Sequence, residues 1–275
     1  RYSNKKLMTC DYKGVKKVPY INYTGYARLI RSEVGSKPTL NNKIKEEIRL
    51  YIDAKFKNFS SRKTVIILLR GKGVKSKSYI DQIRDAGSHE NYYDSVKYLS
   101  GLGCNIVALG ETMLDFFNGI DNFFSIYDFD KDKDLMDIYF LSTASLVICQ
   151  HSGPPIISDS CSMPVLLTDS MPFWQGRFSL KSIMLYKNIY KGKERLTYRE
   201  IFDDKDISYG CKIPKGYKVV PNSSNQIMCA VKEIMGFING DFDYEMKNLM
   251  IDNKEYFSCL GDDMLNYYLK TPIPR

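Results

Sequence analysis

The sequence predicts an α/β protein, with a parallel sheet flanked by helices, a short N-terminal segment before it and a helical C-terminus after it. Three observations lead there. Short, near-continuous apolar runs recur between residues 64 and 168, the pattern of strands buried on both faces. The stretches between them have helical spacing and helix-ending signals. Polar or glycine-containing elbows stand where the apolar runs end. Strands that alternate with helices form parallel sheets through right-handed crossovers. Residues 61–275 are therefore read as one Rossmann-like unit with C-terminal helices, and residues 1–60 as a separate N-terminal segment or the remnant of a preceding domain.

The elements follow in order. A helix is predicted over residues 41–56, ahead of the first strand. Residues 64–69 (TVIILL) form that strand, which Arg70-Gly71 closes. Tyr92, Val96, Leu99 and Leu102 recur at helical spacing within 91–102, and Gly103 suits the end of that helix. Residues 104–109 (CNIVAL) form the second strand, ending at Gly110-Glu111. A short helix over 112–117 and a strand over 123–127 come next. A helix over 135–143 leads to the strand 146–149, and a Pro-led helix over 154–160 leads to the strand 164–168 (PVLLT). After Ser170 an irregular aromatic loop holds Trp174, the single tryptophan. Helices near 225–237, 244–256 and 262–269 complete the expectation.

A chain of 275 residues is long enough for a substantial core. The net charge of +8 favours an anionic ligand or an acidic membrane surface, or simply a solvated basic face. The basic excess concentrates in residues 5–17 and 55–77, and neither stretch interleaves aromatics with Arg as a base-stacking surface would. Nucleic acid is therefore not an expected partner. Seven cysteines, an odd number without a CxxC pair, fit reduced cytosolic thiols better than a disulfide framework. Cys104 and Cys149 read as small core residues. No run approaches the roughly 20 apolar residues of a membrane span. The sequence opens on Arg1, so an upstream portion is expected.

The elbow Gln150-His151-Ser152-Gly153 follows the fourth strand and precedes Pro154 and Pro155, which suit the first turn of a helix. Ligands of open α/β sheets bind outside the carboxyl ends of the strands, and helix N-termini there favour phosphate. The elbow is a candidate phosphate or sugar site, and the alternative is that Ser152 only caps a helix. Arg70 ends the first strand at the same edge, and its fork can hold two phosphate oxygens. The alternative for Arg70 is an exposed turn residue. The dinucleotide pattern GxGxxG, the Walker pattern and the GxSxG elbow of hydrolases are all missing. The acidic run Asp128–Asp134 puts Lys133 and Tyr139 where a calcium loop needs Gly and Glu, so it reads as a charge cluster that starts a helix. His89 stands just before a helix. Two histidines are too few for a conventional zinc site.

Several of these features line up in one order. A strand ends in Arg (VIILLRGKG), then come RDAGSHENYYDSVKYLSGLG and a strand ending in Gly-acid (VALGE). DLMDIYFLSTASLVICQHSG, a Pro-led strand and LYKNIYKGKERLTYREIF follow. Over roughly residues 64–203 this resembles a bacterial glycosyltransferase family whose donor half is similar to that of fucosyltransferase-like GT-B enzymes. The matching positions are Arg70, Arg84, Asn91, Tyr92, Gly110, Glu111, Asp137, Ser152, Gly153, Lys187 and Glu200. Leu69 stands where family members often have His, and His151 where they have Thr or Ser.

The resemblance implies sugar transfer from a nucleotide-sugar donor to a glycan, lipid-linked or protein acceptor. It implies a donor site of Arg70, Arg84, Gly110, Glu111, Ser152, Gly153 and Lys187, to which the elbow adds His151. Arg70, with Lys187 or Arg84, would stabilise the leaving diphosphate, and Glu111 would meet ribose or base hydroxyls. Inverting transfer of this kind needs neither a bound metal nor another cofactor. No general base is assigned, although Asp85 and Glu90 lie near the first motif. The expected location is cytoplasmic, with peripheral contact to the inner membrane face through the basic start. A non-catalytic sugar- or nucleotide-binding module is one rival reading. A pyruvyl or phospho-group transferase on the same scaffold is the other.

Overall fold

The computed structural model describes residues 40–70, 88–110, 114–161, 163–171, 182–196, 200–201, 204, 207, 213–240, 251–252 and 257–260. Six strands run parallel: β1 (Thr64–Leu68), β2 (Asn105–Ala108), β3 (Phe123–Ser125), β4 (Leu146–Cys149), β5 (Val165–Ser170) and β6 (Ser182–Tyr186). Their spatial order is β3-β2-β1-β4-β5-β6. The chain thus builds outward from β1 to one side, then returns to the centre and builds to the other. That is the Rossmann-like, doubly wound arrangement, and its reversal point lies between β1 and β4.

Alternation along β1 shows why the sheet is a middle layer. Val65 and Ile67 face one core, and Ile66 faces the other. The first core is closed by helices α2 (Tyr93–Gly101) and α5 (Ser224–Asn239), through Val96, Leu99, Ile227, Val231 and Ile234. The second is closed by α1 (Asn42–Lys55) and α3 (Lys133–Thr143), through Ile48, Ile52, Met136, Phe140 and Leu141. Ile157 of the short helix α4 (Pro155–Ser160) packs on the same side. Cys104 and Cys149 are buried, as the apolar runs around them imply.

Local chemistry sets the helix ends. Asn41 Oδ1 accepts the Lys43 N–H at 2.8 Å and starts α1. Asp132 Oδ1 accepts the Leu135 N–H at 2.9 Å and starts α3. Ser223 and Gln226 form a reciprocal capping box at the start of α5, and Gly240 ends it at φ +83°. The acidic run is used in the same way. Asp128 closes a capping box with Ser125, and Asp130 pairs with Lys55.

Two expectations change. The predicted helix over 244–256 does not hold at its described residues: Ile251–Asp252 is strand β10, which pairs antiparallel with β11 (Phe257–Leu260). Strand β11 in turn pairs antiparallel with β6, so the C-terminal part extends the sheet at that edge. An open sheet edge exposes unpaired backbone groups, and these two strands satisfy them. The sixth parallel strand was also not foreseen. After it, β7 (Asn188–Lys191), β8 (Glu194–Arg195) and β9 (Tyr217–Val220) form a separate antiparallel sheet. The predicted helix 262–269 and the loop around Trp174 lie outside the described residues.

Candidate functional site

The carboxyl ends of β1 and β4 flank the reversal point and carry Arg70, His151 and Ser152, and Lys187 follows β6 at the same end of the sheet, two strands farther along. Arg70 follows β1 and is held at three places. Its N–H donates to Gln150 Oε1 at 2.8 Å. Its carbonyl lies 3.2 Å from His89 Nε2. Its Nη1 donates to the His151 carbonyl at 3.1 Å. Backbone and guanidinium are both fixed before any ligand arrives.

Beneath Arg70 lies a buried polar network. Gln150, 1% exposed, donates from Nε2 to the Tyr92 hydroxyl at 2.9 Å and to Asp169 Oδ2 at 3.2 Å. The Thr168 hydroxyl donates to the Cys149 carbonyl at 3.2 Å, so its oxygen accepts from Tyr92, 2.8 Å away. Burial, together with the Asp169 carboxylate, pushes the Tyr92 phenol well above its ordinary range, so it stays protonated as a donor. Asp169, the penultimate residue of β5, is in the left-handed region at φ +47°, within a register shift between Leu167 and Ser170. Short Asp tolerates that backbone because its side chain hydrogen-bonds nearby.

Two further residues of the site are tied to β5. His151 Nε2 lies 3.0 Å from Ser170 Oγ, and the Lys187 N–H donates to the Ser170 carbonyl at 3.3 Å. His151 and Lys187 are both buried. The Ser152 Oγ is buried and has no hydrogen-bond partner among the described residues. Gly153 is exposed, and a Cβ there would meet nothing within 4 Å. Neither crowding nor a positive φ demands glycine at 153, and the space above it is open. Gly110 differs: its φ is +75° and a Cβ would come within 3.3 Å of Leu68 Cδ1, so glycine serves the turn at the end of β2.

The positions predicted from sequence therefore divide. Arg70, His151, Ser152 and Gly153 stand at the reversal point, whereas Lys187 follows β6, two strands from β4, and is linked to them through Ser170. Gly110 stands on the neighbouring strand end. Arg84 and Glu111 lie outside the described residues. Asn91 and Tyr92 tie elements together, Asn91 by donating to the Asn222 carbonyl at 2.9 Å. Asp137 sits on α3, where burial and then Asp134 raise its carboxyl above the ordinary aspartate value, against an opposing effect of Lys133. Glu200 is exposed. Sequence reasoning included Gln150 only as part of the elbow, with no role, and missed Asp169 and Asn222. Asp169 had a signal, since it is a polar residue near the carboxyl end of an apolar strand.

No family model and no curated protein matches this sequence. A solved structure with some likeness is that of the glycosyl transferase family 9 protein from Veillonella parvula DSM 2008. Identity is 15% and the TM-score 0.46, over 71% of this chain and 52% of that one. The chain thus spans about half the length of that protein. A likeness this weak says nothing about function.

Proposed function

We propose that the crevice at the reversal point binds the diphosphate of a nucleotide sugar, and that the protein is a GT-B-like glycosyltransferase. It would pass the sugar to a glycan, lipid-linked or protein acceptor. The observation behind this is Arg70: an arginine at the carboxyl end of β1, fixed by Gln150, His89 and His151, beside the open space over Gly153. A preorganised guanidinium in a partly dry site stabilises developing charge far better than one in water.

In the reaction, an acceptor hydroxyl attacks the anomeric carbon from the face opposite the nucleotide. The bond from that carbon to the phosphate oxygen breaks, and its electron pair leaves with the diphosphate. A base takes the acceptor proton, and the sugar is inverted. Arg70, aided by Lys187 and Arg84, neutralises the departing diphosphate, while the Ser152 hydroxyl donates to a phosphate oxygen. Glu111 accepts from ribose hydroxyls. With two or three cations in that role, a divalent metal is not needed.

The test is calorimetric titration of the full chain with UDP, GDP, CMP and ADP and their sugar conjugates, repeated on Arg70→Ala. One nucleotide binds selectively, and the variant loses at least about tenfold in affinity, roughly one charge-assisted hydrogen bond. Wild-type protein that binds none of them, or an Arg70→Ala variant that binds equally well, would overturn the proposal. Selective binding without turnover on any acceptor would leave a binding module instead.

A further inference from the structure

We propose that His89 is a further ligand-binding residue of this crevice, its Nδ1 accepting a hydrogen bond from a hydroxyl of the bound sugar or ribose. This rests on the nucleotide-sugar reading above. His89 is 8% exposed and belongs to the short 3-10 turn His89–Tyr92 that leads into α2. Its Nε2 faces the Arg70 carbonyl at 3.2 Å. A carbonyl oxygen has no proton to give, so Nε2 carries the hydrogen, and in the neutral ring Nδ1 is then a bare acceptor. That Nδ1 is buried and has no hydrogen-bond partner among the described residues.

Buried polar atoms are nearly always paired, and an unpaired one asks for a cause. Here two unpaired atoms flank one arginine. His89 holds the Arg70 carbonyl, while Arg70 Nη1 reaches the carbonyl of His151, the residue before Ser152, whose Oγ is the second. Ser95 Oγ and Asp137 Oδ1 also lack a partner among the described residues, but they sit on helices α2 and α3. The chemistry of the pair around Arg70 narrows the ligand. In the neutral ring Nδ1 can only accept, so it needs a donor such as a hydroxyl, whereas the serine hydroxyl can donate to an anionic oxygen. A phosphorylated polyol offers both within a short span, and a nucleotide sugar is such a molecule. A tether to Arg70 alone would use only Nε2 and would leave Nδ1 unexplained.

The experiment uses His89→Gln, whose amide nitrogen can still donate to the Arg70 carbonyl but which has no counterpart of Nδ1. Wild type and variant are titrated with UDP, GDP, CMP and ADP, their sugar conjugates, and 2′-deoxy, 3′-deoxy and deoxysugar analogues. We expect the ligand-free unfolding temperature of the variant to stay close to wild type while affinity falls about tenfold, one hydrogen bond's worth. One deoxy analogue should lose a similar factor on wild type and nothing further on the variant. A loss seen with the nucleoside diphosphates alone assigns the hydroxyl to ribose, and a loss seen only with the conjugates assigns it to the sugar. A variant that binds as wild type overturns the inference while Arg70 keeps its role. Should the variant fail to fold, wild-type protein that tolerates every deoxy analogue overturns it equally. Wild type that binds no nucleotide at all removes the donor-site reading itself, and His89 with it.

Discussion

Asp169 and Asn222 hold each other by a reciprocal pair of hydrogen bonds. The N–H of Asp169 donates to Asn222 Oδ1, and the N–H of Asn222 donates to Asp169 Oδ1, both at 2.6 Å. Both residues are buried. Asn222 also donates from Nδ2 to the Tyr186 carbonyl at 2.7 Å and accepts from Asn91 at its own carbonyl. One asparagine therefore joins the ends of β5 and β6 to the turn before α2 and to the cap of α5. The other carboxylate oxygen of Asp169 supports Gln150, which in turn holds the Arg70 backbone.

Asn222→Ala removes the partners of the Asp169 N–H and of the Tyr186 carbonyl in a site without water access. We expect a loss of about 3 kcal/mol in unfolding free energy, the cost of two buried groups left unpaired. Urea denaturation followed by circular dichroism measures it, and a loss under about 1 kcal/mol would show that the clamp is replaceable.

Gln150 has two jobs, and two substitutions separate them. Gln150→Leu removes both the acceptor for Arg70 and the donor to Asp169, at about 1–3 kcal/mol. Gln150→Glu keeps the acceptor but puts a second carboxylate beside Asp169, where buried like charges repel. The Glu variant should be the less stable at neutral pH and should recover part of the difference in mild acid, as one carboxyl takes up a proton. Denaturation midpoints at the two pH values decide, and a Glu variant as stable as Leu at neutral pH contradicts the network.

Tyr92→Phe deletes one hydroxyl and leaves the packing of the ring. Gln150 keeps its bond to Asp169, so the loss should be limited to about 1–2 kcal/mol. Because burial holds the Tyr92 phenol protonated, the alkaline absorbance titration of folded protein should be the same in variant and wild type. A missing tyrosinate in the variant within the folded range would mean that Tyr92 is open to solvent.

Asp137 predicts a pH dependence of the opposite sense to most carboxylates. Its folded value is raised, chiefly by burial, so the folded chain binds the proton more tightly than the unfolded chain. The stability it contributes is present below the ordinary aspartate value and is lost as pH rises through the raised one. Asp137→Asn should therefore unfold at a higher temperature than wild type at neutral pH, with the gap closing toward acid. A gap that is constant with pH would assign the effect to something other than this proton.

Much of the scaffold was legible in the chain. The run Leu146–Cys149 was placed to the residue, because four apolar residues between a helix and a polar elbow suit only a strand buried on both faces. The helix Asn42–Lys55 was placed within a residue at each end, since its amphipathic spacing and Asn cap are local. The C-terminal strands were not legible. Residues 251–252 and 257–260 are short, and pairing at a sheet edge, not their own pattern, makes them strands.

The candidate site divides along the same line. Local chemistry marked Arg70 and the elbow at 151–153, because polar residues after apolar strands stand at a strand's carboxyl end, whereas Lys187 was named only by the family resemblance. The sequence alone could not say that Gln150 holds Arg70 across 80 positions, or that Asp169 and Asn222 clamp each other across 53. Those contacts depend on the order of the strands in the sheet, with β1 beside β4 and β5 beside β6. Strand order is a property of the whole packed core, set by which faces bury together. Residue pattern determined the strands and their polar ends, and only the tertiary structure decided which ends would meet.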